Sequence, residues 1–492
     1  MKRIHLFLSG TMLLLLPFMM FSSCSDENEE DDNKQEEQTD PKQSELEKLL
    51  STNRYYMKRY YEDFFPYYFW YDDVIQRVQN YKYENYSTIY EYFDATLFSE
   101  DRWSWMMSGD DYRSSESGEQ TGTYGVSLQQ AIEYYHDYNI RVAYIYPGSP
   151  FEKYGVTRGW TLTHLDSVPV MDYVASGKFN KALYKNNQLF TFKDLKGESH
   201  TFNCSPSSSL MTRSYLKSEV FQPGDYPGLS EPVGYFLYMS YMDGEFLDDI
   251  HDAMAKFKAA NVHKVILDLR YNGGGSGAAS NLLVNYLAPA SADNQVYRRT
   301  IHNKQLSLYD SSDTIHRMEG SLDLDALYVI GGSHTASASE VTINGLKPFM
   351  DLYLVGDTTY GKPNGMYVLL YPDSDSDYAR YNKGDYSTLK LVFLPIAFFS
   401  KNGLGNSIPY MGFEPDNYRP DDLRHDFGVE EDNIRACLES IVNGTFPALP
   451  KTGPSSAVTR GSVNEYRIPD DINTSPLYGR TILPLPRELR NK

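Results

Sequence analysis

Short, uninterrupted apolar runs set the pattern of this chain. KVILDLR (264–270), ALYVI (326–330) and LYLVG (352–356) are each too apolar to alternate between a wet and a dry face. Runs of that kind predict strands covered on both sides. VGYFLYMSYM (233–242) reads as a further strand, and Glu245–Ala260 and the stretch around Ala278–Leu287 carry apolar residues at helical spacing. Strands alternating with helices predict an α/β core over residues 212–445. Upstream, Arg141–Tyr146 alternates and predicts a strand, Pro147–Pro150 a turn, Phe151–Tyr154 a short helix and Trp160–Leu165 another strand. These make a β domain over 118–208. Residues 44–110 are helical in pattern and dense in aromatics, with YYFWYDDV and EDRWSWM as landmarks, which predicts a small helical domain closed over an aromatic core. Residues 446–492 are proline-rich and read as irregular. The fold class is multidomain α+β.

The amino terminus departs from this pattern. Lys2 and Arg3 precede an apolar run that ends in Phe21-Ser22-Ser23-Cys24, the layout of a secretory signal over residues 1–24. The run is too short to favour a membrane span. Its small-small-Cys ending resembles a bacterial lipobox and makes Cys24 the candidate lipidated residue, the alternative being an ordinary signal peptide with an incidental cysteine. Residues 25–43 follow as a tether, with nine acidic residues against one lysine between Ser25 and Asp40. A block this charged cannot collapse. This reading places the protein in the envelope of a Gram-negative bacterium, as an outer-membrane lipoprotein held by its lipid. The net charge of −20 argues against nucleic-acid partners, which need a basic surface. Cys204 and Cys437 are too few and too far apart for a disulfide framework and read as buried thiols.

Three loops leave the ends of the predicted buried strands: LDLRYNGGG (267–275), GGSHTASASE (331–340) and GDTTYGKPNG (356–365). Sites in open α/β sheets gather where such loops converge. Within the second, Ser337-Ala338-Ser339-Glu340 is a capping box, S-x-x-E, which would start a helix whether or not Ser337 does chemistry. His334 stands three residues from Ser337 across a turn, and a surface imidazole is the simpler reading. LPKTG (449–453) matches a sortase signal, but no apolar segment and basic cluster follow it.

Together the three loops resemble the carboxy-terminal processing, or tail-specific, serine proteases. That family carries a D-L-R-x-N-x-G-G loop, here Asp268–Gly275, and a nucleophile motif ending S-A-S-E, here Ser337–Glu340. Its base lysine lies in a G-K loop about 25 positions on; Lys362 stands 25 after Ser337, and GFEPD (412–416) matches a further element. The resemblance implies a protease core of the ClpP/crotonase type, an endopeptidase acting through a Ser337/Lys362 dyad and an acyl-enzyme, and no cofactor or metal. It implies an oxyanion hole from the amides of Ala338 and of Gly274 or Gly275, with Glu340, Asp268 and Arg270 supporting. A lysine base must be largely neutral, so burial must lower its pKa from about 10.4 by roughly 3 units, on the order of 4 kcal/mol. The β domain resembles a PDZ domain, in which Tyr124, Gly125, Val126 and Ser127 would line a groove for a substrate's C-terminus. One position departs from the family: Met366 stands where many members have a glutamine that contacts and orients the lysine. Met366 is expected not to do so, with Asn364 the candidate substitute. The alternative is a catalytically inactive, PDZ-bearing scaffold lipoprotein.

Overall fold

The structure, a computed structural model, describes residues 54–132, 137–372, 374–381, 386–448 and 480–483. The signal segment with Cys24, the acidic tether and the LPKTG match lie outside these residues. No helix among the described residues is long and apolar enough to cross a membrane.

The apolar runs form one six-stranded sheet: β1 (Tyr215–Phe221), β2 (Val233–Tyr238), β3 (Lys264–Asp268), β4 (Ala326–Gly331), β5 (Asp351–Gly356) and β6 (Asn417–Tyr418), side by side in that order. All neighbours from β2 to β6 run parallel, while β1 lies antiparallel on β2. Alternate residues of each strand go to opposite faces. Val265, Leu267, Leu327, Val329 and Leu354 pack with helices α1 (Leu247–Ala259), α2 (Gly277–Leu287) and α3 (Ala338–Leu346). Ile266, Tyr328, Ile330 and Val355 pack on the other side with α4 (Asp432–Asn443) and with Ala143, Tyr144 and Tyr146 of the β domain. Both faces are therefore covered, which is why these strands are apolar throughout.

The β domain is a five-strand path from Val126–Gln129 to Ser199–Cys204, with Val126–Gln129 at its edge. Cys204 and Cys437 are buried free thiols.

Three features were not legible as read. The aromatic-rich amino-terminal region does not close a core of its own. Tyr60, Phe64, Tyr92 and Phe93 are buried together with Leu369, Tyr371, Leu391 and Phe393, which lie beyond β5 in the chain. Trp105–Ser108 even joins a sheet with Leu389–Leu394 and Leu369–Pro372. The large aromatic surface needs a partner sheet to leave water. Second, another six-stranded sheet crosses the core, containing Val296–His302, Ser311–Thr314, Asn364–Tyr367 and Ile396–Asn402. Third, the carboxy-terminal region is not wholly irregular: Arg480–Leu483 is a strand of that second sheet, between Gly274–Ser276 and Asn364–Tyr367.

Because the aromatic core is shared, unfolding should be one event. Phe393 is fully buried, with ring contacts to Tyr60, Phe64, Phe93 and Tyr371. Phe393→Ala should lower stability by about 3–5 kcal/mol and leave tyrosine near-UV and backbone far-UV dichroism melting together. Separate transitions for the two signals would show independent domains instead.

Candidate active site

The three loops do converge at the carboxyl ends of β3, β4 and β5, and side-chain bonds set their relation. After β4, Thr335 ties down its own turn: Gly332 N–H donates to its Oγ1 at 2.9 Å, and that hydroxyl donates to the Leu269 carbonyl at 2.8 Å. Ala336 N–H at 3.2 Å and Ser339 Oγ at 3.0 Å both donate to the Asn272 carbonyl. The turn is thus fixed to the loop after β3 before Ser337 is reached. Ser339 has a structural task in this contact, and His334 lies partly buried in the turn.

Ser337 caps α3 with φ 60° and ψ −113° and is fully buried. A non-glycine residue at this φ is strained by about 1–3 kcal/mol and persists only where its surroundings over-determine it. The next residue, Ala338, opens the helix, so its main-chain N–H has no intrahelical acceptor.

Glu340 supplies much of the constraint. Its Oε2 accepts from Ser337 N–H at 3.1 Å and from Lys362 N–H at 2.8 Å. Its Oε1 accepts from Gly361 N–H at 2.8 Å and from Thr359 Oγ1 at 2.6 Å. Burial pushes this carboxyl above its ordinary range, and the four donors pull back. The carboxylate is at once the cap of α3 and the joint between the serine turn and the lysine loop.

That loop has close neighbours of its own. Thr359 N–H donates to the Phe413 carbonyl at 3.1 Å, Phe413 N–H returns to Thr359 Oγ1 at 2.8 Å, and Tyr360 N–H donates to the Thr335 carbonyl at 2.9 Å. A Cβ on Gly361 would run into the Tyr410 carbonyl, and one on Gly412 into the Thr359 carbonyl. The glycines of G-K and of GFEPD are what let these chains touch.

Lys362 is buried, at 1% exposure. Its Nζ lies 3.8 Å from Met366 Sδ. This corrects the expectation for position 366: the thioether, a weak acceptor, does reach the amine. Asn364 does not take over that role. It is equally buried, yet neither Nδ2 nor Oδ1 has a hydrogen-bond partner. Of the two candidate oxyanion glycines, Gly274 turns its N–H to Asn272 Oδ1 at 2.9 Å. Asn272 itself donates to the Tyr238 carbonyl at 2.9 Å.

Asp268 and Arg270 brace the glycine loop from below. Arg270 reaches Asp268 through Nε at 3.0 Å and Nη2 at 2.8 Å, Glu431 through Nη1 at 2.6 Å and Nη2 at 3.0 Å, and Asp421 through Nη1 at 3.1 Å. Arg158 of the β domain pairs with the same Asp421 and donates to the Tyr271 hydroxyl at 2.7 Å. Burial raises the Asp268 carboxyl, opposed by Arg270. For Asp421 the two guanidinium groups outweigh burial and draw it down to about 2. The carboxylates of Asp421, Asp422 and Glu431 lie close enough together to gather a cation, and the two arginines serve as their counter-charge. The motif carried Asn272 in view; Arg158, Asp421 and Glu431 had no sequence signal that tied them to it.

The residues expected to line a peptide groove are buried within the β domain. Tyr124 stacks on Phe151 at 4.9 Å inside the β-domain core, and Val126 and Ser127 are buried. A Cβ on Gly125 would meet the Leu210 side chain.

Residues 233–391 match the family model of peptidase family S41. The chain carries an S41 peptidase domain. That family is one of serine peptidases, whose substrates are polypeptides. Among solved structures, the chain is similar to a Bacteroides fragilis protein assigned as an S41 protease, at 22% identity and a TM-score of 0.61, over 77% of this chain and 95% of that one. That likeness shows a shared fold over about three quarters of this chain. Looser matches are the photosystem II D1 C-terminal processing protease (15% identity, TM-score 0.41, 77% of this chain and 93% of that one) and mature CPAF with lactacystin (11%, 0.45, 81% and 99%). No curated protein matches this chain.

The Glu340 joint is directly testable. Glu340→Gln puts an NH2 against two of the four donors, and an unmet buried donor costs about 1–3 kcal/mol. A fall of several kcal/mol in urea-unfolding stability is expected, and no change would show that the Glu340 carboxylate does not join the two loops. The strain at Ser337 predicts the opposite sign for another change: Ser337→Gly should be more stable than Ser337→Ala by about 1 kcal/mol, read from the same unfolding curves.

Proposed function

We propose that this S41 protein is an endopeptidase of the carboxy-terminal processing type, with Ser337 as nucleophile and Lys362 as general base. The observation that carries the reading is the Glu340 carboxylate, one oxygen of which holds the main-chain N–H groups of both residues. A serine hydroxyl is a weak nucleophile until a base removes its proton. Burial disfavours the charged form of an amine, so a desolvated lysine can take that role. Lys362 Nζ accepts the Ser337 Oγ proton as Oγ attacks the substrate carbonyl carbon. The oxyanion then lies at the start of α3, facing the N–H groups of Ala338 and Gly275 where the helix dipole favours negative charge. The amine product departs with the proton held by Lys362, and water, deprotonated by the same lysine, hydrolyses the Ser337 ester.

The β domain is proposed to capture a substrate's C-terminal tail along Val126–Gln129, the strand at the edge of its sheet. The segment 1–43 is proposed to place the enzyme in the cell envelope through a lipid on Cys24.

Cleavage of a denatured protein, followed by mass spectrometry, tests the chemistry. Ser337→Ala and Lys362→Ala should each lose about 10³-fold or more in kcat while remaining folded. Undiminished cleavage by both variants would refute the dyad. A wild-type chain that binds C-terminal peptides but cleaves none would be a binding scaffold.

A further inference from the structure

The carboxy-terminal strand occupies a telling place. Arg480–Leu483 is parallel to two strands at once: Gly274, Gly275 and Ser276 register with Arg480, Thr481 and Ile482 on one side, and Met366 and Tyr367 with Ile482 and Leu483 on the other. Gly274–Ser276 and Asn364–Tyr367 do not pair with each other; the segment between them completes the sheet. Both flanks belong to the candidate active site. One carries Gly275, and the other begins two residues after Lys362.

The peptide groups on the first flank point the same way. Tyr241 N–H donates to the Gly274 carbonyl at 3.0 Å, and Ser276 N–H donates to the Tyr241 carbonyl at 2.6 Å. Peptide groups alternate sides along a strand, so those of Gly275, the remaining oxyanion candidate of the glycine loop, face the opposite way, towards Arg480–Leu483. On the other flank, Asn364 holds a buried amide with no partner. An orphaned buried amide costs on the order of 1–3 kcal/mol and calls for a ligand to explain it.

We propose that the space between Gly274–Ser276 and Asn364–Tyr367 is the substrate channel, which takes an extended polypeptide as an added strand. We propose further that residues 480–483 are its intramolecular occupant. The substrate class is then any unfolded chain that can present main-chain donors and acceptors to both edges, with little demand on sequence. The resident strand competes with such substrates from within the same molecule, and a substrate must displace it to reach Ser337. This rests on the endopeptidase reading for its consequence in turnover, but not for the binding itself.

Proline cannot donate to a ladder and blocks pairing on a central strand. In the full chain, Thr481→Pro with Leu483→Pro should lower the KM for β-casein by about fivefold or more with kcat unchanged, since an intramolecular competitor acts through effective concentration. A synthetic peptide of residues 476–488 should then inhibit the doubly substituted chain competitively. In a Ser337→Ala background the same peptide, labelled, should bind the proline-bearing chain about tenfold tighter than the native-tailed one by fluorescence anisotropy. Equal KM values and no inhibition, or equal peptide binding, would overturn the proposal. A tenfold binding difference with no cleavage of β-casein by any chain would support the channel and its occupant while removing the endopeptidase reading.

Discussion

The site depends on one carboxylate. Glu340 is fully enclosed, and a buried carboxylate is tolerated only when its oxygens are saturated with donors. Its four donors come from the serine turn on one side and the lysine loop on the other. Without that joint, the two loops would keep main-chain bonds such as that from Tyr360 N–H to the Thr335 carbonyl, and Ser337 would lose a bond that holds it at φ 60°. A capping box, which in most helices merely satisfies orphan donors, is here extended to a second chain segment.

A second buried set of charges sits below. Arg158 and Arg270 meet Asp268, Asp421 and Glu431 where the β domain touches the core. Such groups are expensive to desolvate, so they add less to stability than their number suggests. They define one arrangement, because displacing any member leaves a buried charge uncompensated. Arg158 brings the β domain into that arrangement, so its docking and the glycine loop share a counter-ion.

The tyrosine-rich amino-terminal region adds a third constraint. Its aromatic core takes in Met366, whose sulfur also meets Lys362. The lysine is therefore walled by a side chain that belongs to the helical region's core. A thioether gives that wall apolar bulk and a weak acceptor where an amide would give a stronger one.

What the sequence determined by itself follows from local rules. Apolar runs made buried parallel strands, because a strand covered on both faces has no polar position. S-x-x-E made a helix start, and glycines stood where loops had to touch. The order of three motifs led to Ser337, Lys362 and the glycine loop. Tertiary structure alone decided the rest, because each remaining feature joins segments that local pattern cannot connect. The aromatic region had to borrow a sheet to bury its rings, Met366 reached the amine its chemistry had seemed to rule out, and Gly274 was turned away by Asn272. Arg480–Leu483 became a strand only because two separated edges left room for one. A four-residue segment has no strand of its own to be, and its structure belongs to the slot that holds it.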